Sequence, residues 1–152
     1  MRREVDYGVW VPRVLAVLRI MVGLLFLEHG TQKIFGFPAS TNPAPALLSL
    51  AGIQGCIEVL GGILIVIGLF TRPVAFILCG NMAVAYFMSH APGSFFPVLN
   101  RGDAAILYCF VFLYLAVAGG GAWSLDAARR RQERLPRSGV SPAGPSAARR
   151  PG

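Results

Sequence analysis

Four long apolar stretches dominate the chain, separated by short segments rich in glycine, proline or charge. They cover residues 12–35, 46–70, 74–90 and 103–122. A helix that crosses a bilayer needs about 20 residues, with ~17–25 observed. Only helices and closed barrels satisfy their backbone in lipid, and these stretches lack the two-residue alternation of barrel strands. The pattern predicts an all-α, integral membrane four-helix bundle within a membrane domain spanning residues 12–127.

The composition agrees with a membrane protein. Hydrophobic residues make up 55% of the 152 positions and charged residues 14%, against ~25% charged in soluble domains. The net charge of +7 belongs to the C-terminal tail: residues 129–152 hold seven arginines and one glutamate, whereas residues 1–128 hold seven basic and six acidic side chains. This distribution argues against nucleic acid as a partner of the folded body.

The basic residues also predict an orientation. Four spans place both termini on one side, and 11 of the 14 basic residues then share that side, leaving Lys33 and Arg101 on the other and Arg19 within a span. The positive-inside rule makes that side the cytoplasm, so residues 1–11 form a cytoplasmic N-terminus. The first stretch resembles a signal peptide, but the A-x-A site at residues 44–46 lies too far beyond it, and we expect no cleavage.

The tail over residues 128–152 contains mostly Arg, Pro, Ser, Gly and Ala and is predicted to be disordered. Its arginines follow the last span directly, which suggests contact with anionic lipid headgroups at ~1 kcal/mol per residue. Those arginines are Arg129, Arg130, Arg131, Arg134 and Arg137. A simple topology anchor is the equal alternative.

Ionisable residues within spans are costly in lipid and are therefore the default site candidates. Helix periodicity places Arg19, Gly23, Gly30 and Lys33 on one stripe of the first span, with Glu28 opposite. From depth, we predict a buried polar centre of Arg19, Glu58 and Asn81 with Arg19–Glu58 as the preferred ion pair, in a structural or a functional role. A later start of the second span would instead bring Glu58 towards Glu28 and His29.

A ligand site is the functional interpretation of these polar groups. Its candidate residues are His29, Lys33, Glu28, Gln54 and Tyr86, with an apolar wall of Phe26, Phe35 and Tyr86. Such a site suits a small aromatic acceptor. The alternative is that His29 caps a helix contact and Lys33 reaches the lipid headgroups. No spacing typical of a metal, haem or nucleotide site occurs. Cys56, Cys79 and Cys109 are interpreted as small buried hydrophobes, with a redox pair between helices as the alternative.

Three segments resemble the DoxX family. The first span reads LRIMVGLLFLEHGTQKIFGF, similar to the family's Arg, apolar run and H-G-x-x-K-x-F-G. The second reads GCIEVLGGILIVIGLFTRPVA, and the last reads NRGDAAILYCFVFLYLAVAGGGAWSLD, ending in the family's Gly-x-x-Ser-Leu-Asp. The resemblance covers residues 13–127. Arg101 and Asp103 depart from it, standing where Gly and Glu are frequent, and the tail has no counterpart.

This resemblance implies a four-helix bacterial inner-membrane protein of a family whose members are often labelled oxidoreductases. Some relatives look like quinone-linked subunits of thiosulfate oxidation, and others belong to oxidative-stress complexes. The implied function is a membrane subunit that supports quinone-linked chemistry, with partner redox proteins or a homo-oligomer. The residues themselves show no redox centre, so enzymatic activity stays open. The alternatives are a non-enzymatic scaffold for soluble enzymes and a small transporter with a buried glutamate.

Overall fold

The computed structural model describes residues 6–41 and 43–134, and this part of the chain is helical without a strand. The helices are α1 (Tyr7–Phe35), α2 (Leu50–Ile67), α3 (Thr71–Ala85), α4 (Pro97–Asn100), α5 (Asp103–Ala118) and α6 (Leu125–Glu133). A π-helical turn and a 3-10 turn continue α3 to Gly93. Tyr7–Phe35, Leu50–Ile67 and Thr71–Gly93 are long and apolar enough to cross a membrane, while α5 is apolar but has 16 residues.

The helix boundaries differ from the predicted spans because specific caps set them. Asp6 accepts a hydrogen bond from the Gly8 amide at 3.0 Å, so α1 begins at Tyr7 and Pro12 lies inside it rather than in its first turn. Ser49 accepts from the Gly52 amide at 3.1 Å, and α2 begins at Leu50 instead of residue 46. Capping side chains satisfy the free amides of a first turn, which fixes where each helix starts.

Close glycine contacts hold α1 and α2 together in antiparallel order. A Cβ on Gly23 would lie 2.9 Å from the side chain of Val66, and a Cβ on Gly30 would lie 2.7 Å from the Val59 amide nitrogen. From the other helix, a Cβ on Gly62 would meet Leu27 at 2.9 Å. Missing side chains let the two backbones approach, as is common for helices in membranes. Of the four residues on the predicted stripe, Arg19, Gly23 and Gly30 are buried and Lys33 is half-buried.

The other helices pack around an aromatic and aliphatic core. Phe26 of α1 contacts Tyr108 and Phe112 of α5, with ring centroids 5.5 Å and 4.9 Å apart. Leu78 of α3 fills the space beside Gly61 of α2. The buried core also contains Ile65, Ala75, Met82 and Leu115.

The cysteines only partly follow their interpretation as buried hydrophobes. Cys79 of α3 and Cys109 of α5 are half-buried against the core, with their sulfurs 3.6 Å apart. Cys56 is exposed, so that interpretation is wrong for this residue. The fold thus brings together two cysteines that lie 30 positions apart in the sequence.

Helix α6 corrects the prediction of disorder from residue 128 onward. Residues 128–133 are helical, because Ser124 caps the helix by accepting from the Ala127 amide at 3.1 Å. Arg134 ends this helix, and residues 135–152 of the predicted disordered tail, with Arg137, lie outside the described residues, as do residues 1–5 of the predicted N-terminal segment.

Candidate functional site

The predicted polar centre is divided between two ends of the molecule. Arg19 and Glu58 are both buried, 0% and 2% exposed, as predicted. Arg19, however, contacts the backbone at Ile65 and Val66, at the C-terminal end of α2, whereas Glu58 forms an ion pair with Lys33 at 2.6 Å. The predicted Arg19–Glu58 pair is therefore wrong. The antiparallel register sets residues 30–33 of α1 opposite Glu58, and Arg19 lies at least three turns before them in α1.

At what we call the Arg19 end, the guanidinium binds four backbone carbonyls. Nε donates to Gly120 at 2.8 Å and Nη2 donates to Trp123 at 2.6 Å. Nη1 donates to both Ile65 and Val66. The last carbonyls of a helix carry partial negative charge, so a cation is favourable there. Arg19 thereby ties α1, the end of α2 and the loop after α5 together.

Glycines make room for this arrangement. Gly68 ends α2 with φ +68°, a left-handed conformation, and a Cβ there would lie 2.4 Å from the Ser124 side chain. A Cβ on Gly120 would lie 2.7 Å from the Cβ of Ser124. The loop can fold over the end of α2 because these two positions lack side chains.

Asp126 of α6 caps the start of α3 from outside that helix. Its carboxylate accepts from the Phe70 amide at 2.9 Å and from the Thr71 amide at 2.8 Å. Burial alone would raise the pKa of Asp126, but these hydrogen bonds and the nearby Arg130 charge outweigh it and hold the pKa below its ordinary value. This contact was not predicted from the sequence. The Ser-Leu-Asp at the end of the DoxX-like last segment is the sequence feature that could have indicated it.

At the opposite end, which we call the Lys33 end, the Lys33–Glu58 pair borders a cavity of about 320 Å³. Its lining residues are Phe26, His29, Lys33, Glu58, Met82, Ala85, His90, Arg101, Ala104, Ala105 and Tyr108. Lys33 donates to Oε1 of Glu58, and the other carboxylate oxygen, Oε2, is buried with no hydrogen-bond partner among the described residues. Glu58 therefore combines a place in the cavity lining with a buried acceptor that lacks a partner among the described residues.

The two histidines face this same cavity from different elements. His29 of α1 packs edge-on against Tyr108 at 6.0 Å between ring centroids. His90, after α3, lies with Nδ1 3.0 Å from the Asn100 carbonyl oxygen. Because a carbonyl only accepts, Nδ1 donates, and in the neutral ring Nε2 remains an acceptor.

The remaining predicted site residues lie outside the cavity lining. Tyr86 stacks on His90, with centroids 6.4 Å apart, and Glu28 is exposed on the other face of α1. Gln54 is buried and Asn81 is half-buried; each has an amide nitrogen without a partner among the described residues. The structure thus brings together His29, Lys33 and Glu58, as expected for a second span that starts late. Tyr108 and His90 complete the site, and periodicity does not distinguish Tyr108 within so apolar a helix.

A second, larger cavity of about 470 Å³ lies at the Arg19 end and has fewer polar side chains in its lining than the Lys33-end cavity. The larger cavity is lined by Trp10, Arg13, Val14, Val17 and Trp123, and Arg13 is stacked on Trp10 at 5.6 Å. Within the described residues, no group of three or more His, Cys, Asp or Glu is placed to hold a metal ion. At the Lys33 end, a charged donor, an unused carboxylate oxygen and an apolar wall of Phe26 and Met82 can hold a flat molecule with oxygen atoms on one edge.

Comparison with known proteins gives several relatives along most of the chain. An uncharacterized protein of Haemophilus influenzae is 45% identical over 124 residues, which cover 76% of this chain and 90% of the relative. An uncharacterized membrane protein of Mycobacterium tuberculosis is 31% identical over 85% of this chain and 88% of its own. The inner membrane protein YphA of Escherichia coli is 32% identical over 82% of this chain and 96% of its own.

No solved structure gives a significant match. The family model of DoxX matches residues 14–91, which contain Arg19, Lys33, Glu58 and both histidines. This match and the relatives at 31–45% identity agree with the motifs. The chain belongs to the DoxX family of membrane proteins.

Proposed function

We propose that this protein binds a quinone headgroup in the Lys33-end cavity and serves as a membrane subunit of quinone-linked oxidoreductase chemistry. One observation carries the proposal: Glu58 lines a cavity of about 320 Å³, and its Oε2 is buried without a hydrogen-bond partner in the described chain. An unpaired buried acceptor is costly, and a ligand that donates to it recovers that cost. The volume lies at the lower end of the ~300–1,000 Å³ range of small-molecule sites.

The lining suits both redox forms of such a ligand. The Lys33 ammonium and the Tyr108 hydroxyl are donors for a quinone carbonyl, and Glu58 Oε2 accepts a hydroxyl proton of a quinol. The ring would lie against Phe26, whose side chain is buried beside Tyr108. Glu58 therefore takes the role of hydrogen-bond acceptor for a quinol hydroxyl, while its Oε1 stays bound to Lys33.

The direct test is quinone binding by the purified protein in detergent. Extracted quinone is measured by absorbance, and added 2-methyl-1,4-naphthoquinone should raise the melting temperature, because a ligand at 100 times its Kd stabilises the fold by ~2.7 kcal/mol. We expect His29→Ala and Tyr108→Phe to reduce this rise. Glu28→Gln is the matched control, since Glu28 is exposed on the other face of α1. Absence of a shift at saturating quinone would contradict the proposal.

We also propose the topology: four spans in the bacterial inner membrane, with both termini in the cytoplasm. The asymmetry of 11 basic residues against two supports it. The 16 residues of α5 extend about 24 Å at ~1.5 Å per residue, short of a ~30 Å hydrocarbon core, so local bilayer thinning or flanking residues must cover the difference. Reporter fusions at residues 40 and 95 should be active as periplasmic fusions, and one at residue 140 as a cytoplasmic fusion; a cytoplasmic signal at residue 40 would contradict this topology.

The position of α6 supports a role at the headgroup level for its arginines. Asp126 bonds the first turn of α6 to the start of α3, and the Arg129 guanidinium lies 5.5 Å from the centre of the Phe70 ring. The basic residues of α6 therefore lie at the end of the bundle. We expect anionic lipids to bind the arginines of α6. If the protein is instead a scaffold for soluble enzymes, an acidic surface of the partner would bind this helix. Vesicles with and without phosphatidylglycerol should differ in how well they protect α6 from trypsin, and equal cleavage would argue for the scaffold.

A further inference from the structure

We propose that Arg101 makes the Lys33-end cavity selective for an aromatic ligand that carries an ionised oxygen, such as a hydroxyquinone or an aromatic carboxylate. The inference rests on the proposed function as far as it concerns quinones. It adds the charge of the ligand and names the residue that recognises it. Two independent observations support it: the backbone conformation of Arg101 and the charges that line the cavity.

Arg101 occupies a backbone conformation that normally belongs to glycine. It ends α4 with φ 58° and ψ 27°, in the left-handed region. Glycine adopts this conformation without strain and is the usual residue after a helix, whereas a long L side chain is disfavoured. Strained residues persist where the side chain serves a purpose and cluster at ligand sites. The side chain of Arg101 therefore has a role that glycine could not fill.

The position of that side chain indicates the role. Arg101 lines the same cavity as Lys33 and Glu58. In the described part of the chain, Lys33–Glu58 is the one ion pair, so Arg101 lines the cavity without an ion-pair partner. Arg101 is also exposed, so its charged, planar donor group is accessible beside the ligand space. A guanidinium binds carboxylates and other oxyanions through two parallel hydrogen bonds.

The summed charge of the lining favours the same ligand. Lys33 and Arg101 contribute two positive charges and Glu58 one negative charge, and His29 and His90 add positive charge when protonated. Glu58 does not repel an anion strongly, because Lys33 lies 2.6 Å from its Oε1. An anionic oxygen of the ligand near Arg101 would neutralise the excess positive charge, while its aromatic ring packs against Phe26 and Met82.

The test compares three probes by thermal shift in detergent: neutral 2-methyl-1,4-naphthoquinone, ionised 2-hydroxy-1,4-naphthoquinone and 2-naphthoate. Arg101→Gly removes the guanidinium and the backbone strain together. It should melt no lower than the wild type, yet lose at least about tenfold in affinity for both anionic probes, as expected for a charged hydrogen bond. Its affinity for the neutral quinone should be unchanged. Arg101→Gln also removes the guanidinium but keeps a non-glycine residue in the left-handed conformation. It should lose the same affinity for the two anionic probes.

Phe70→Gly is the matched control. Phe70 is the other non-glycine residue with positive φ in the described chain, at 49°, and it lies outside the cavity lining. This variant should leave the affinity for all three probes unchanged. Equal binding of the anions to the wild type, Arg101→Gly and Arg101→Gln would overturn the inference even if the neutral quinone binds. Conversely, Arg101-dependent binding of 2-naphthoate with no binding of the neutral quinone would support the inference and refute the quinone function.

Discussion

Replacing Arg19 by methionine should destabilise the protein more than any other single change to a charged residue of α1. Methionine keeps a flexible, apolar side chain of similar reach, so the change removes the charge and the donors with little loss of packing. Four backbone carbonyls then lose the Arg19 donor: those of Ile65 and Val66 at the end of α2, and those of Gly120 and Trp123 in the loop. The Ile65 carbonyl keeps its bond from the Gly68 amide.

The structure sets the scale of the loss. A hydrogen bond to a charged group contributes ~1.5–3 kcal/mol, so four of them have an upper limit of about 6–12 kcal/mol. Two effects reduce this figure: the loop carbonyls can bind water instead, and removing a buried charge recovers several kcal/mol of desolvation. We therefore expect a net loss of about 3–5 kcal/mol, a large share of the ~5–15 kcal/mol that stabilises a typical protein. Arg19→Lys should lose about half as much, because one ammonium cannot reach both the helix end and the loop.

Unfolding of the purified protein by sodium dodecyl sulfate, followed by circular dichroism, measures the free energy difference. Arg13→Met is the matched control. Arg13 is exposed on the same helix and stacks on Trp10, so this change should cost less than ~1 kcal/mol. If Arg19→Met lies within about 1 kcal/mol of the wild type, the Arg19 contacts do not hold the ends of α1, α2 and the loop together, and the structural role assigned to Arg19 is wrong.

Three further predictions follow from other contacts. Lys33→Gln and Glu58→Gln should be non-additive in a double-mutant cycle by ~1–3 kcal/mol, a range discounted because Lys33 is 33% exposed. Additive losses would refute the pair. Asp126→Asn should lower stability at neutral pH. The folded pKa of Asp126 is lowered, so its contribution is complete above the unfolded value of ~3.9 and disappears as the pH falls through the folded pKa. Thermal unfolding curves of wild type and variant should therefore converge in acid, and a constant difference down to the lowest pH would argue against the cap. In a Cys56→Ser background, mild oxidation should link Cys79 to Cys109 within one chain and block both from maleimide, because their sulfurs lie 3.6 Å apart. Maleimide labelling that oxidation leaves unchanged would contradict the packing of α3 against α5.

The sequence was sufficient for properties that depend on one helix at a time. Helical periodicity placed Arg19, Gly23 and Gly30 on one stripe, and all three are buried. The cost of polar groups in lipid identified Glu58 and Lys33 as site candidates before any partner was known. Both arguments need only spacing along the chain and the chemistry of single residues.

The partners of these residues depended on tertiary structure. The predicted second span began at residue 46, whereas the Ser49 cap starts α2 at Leu50. Each residue of register moves a side chain ~1.5 Å along the axis, so four residues shift a contact by about 6 Å. That shift is as large as the reach of a side chain. It therefore decides whether Glu58 meets Lys33 or Arg19.

The cavity also could not be predicted from the sequence. Its walls come from α1, α2, α3, α5, the turn after α3 and the end of α4, and Tyr108, His90 and Arg101 become part of one site only when those elements pack. Likewise, the left-handed conformation of Arg101 is a property of how α4 ends against its neighbours. The sequence by itself determined the membrane class, the helical stripes and the candidate polar residues, because these follow from local spacing and solvation. Tertiary structure alone decided which of those residues meet, because contact depends on axial register and loop closure between distant segments.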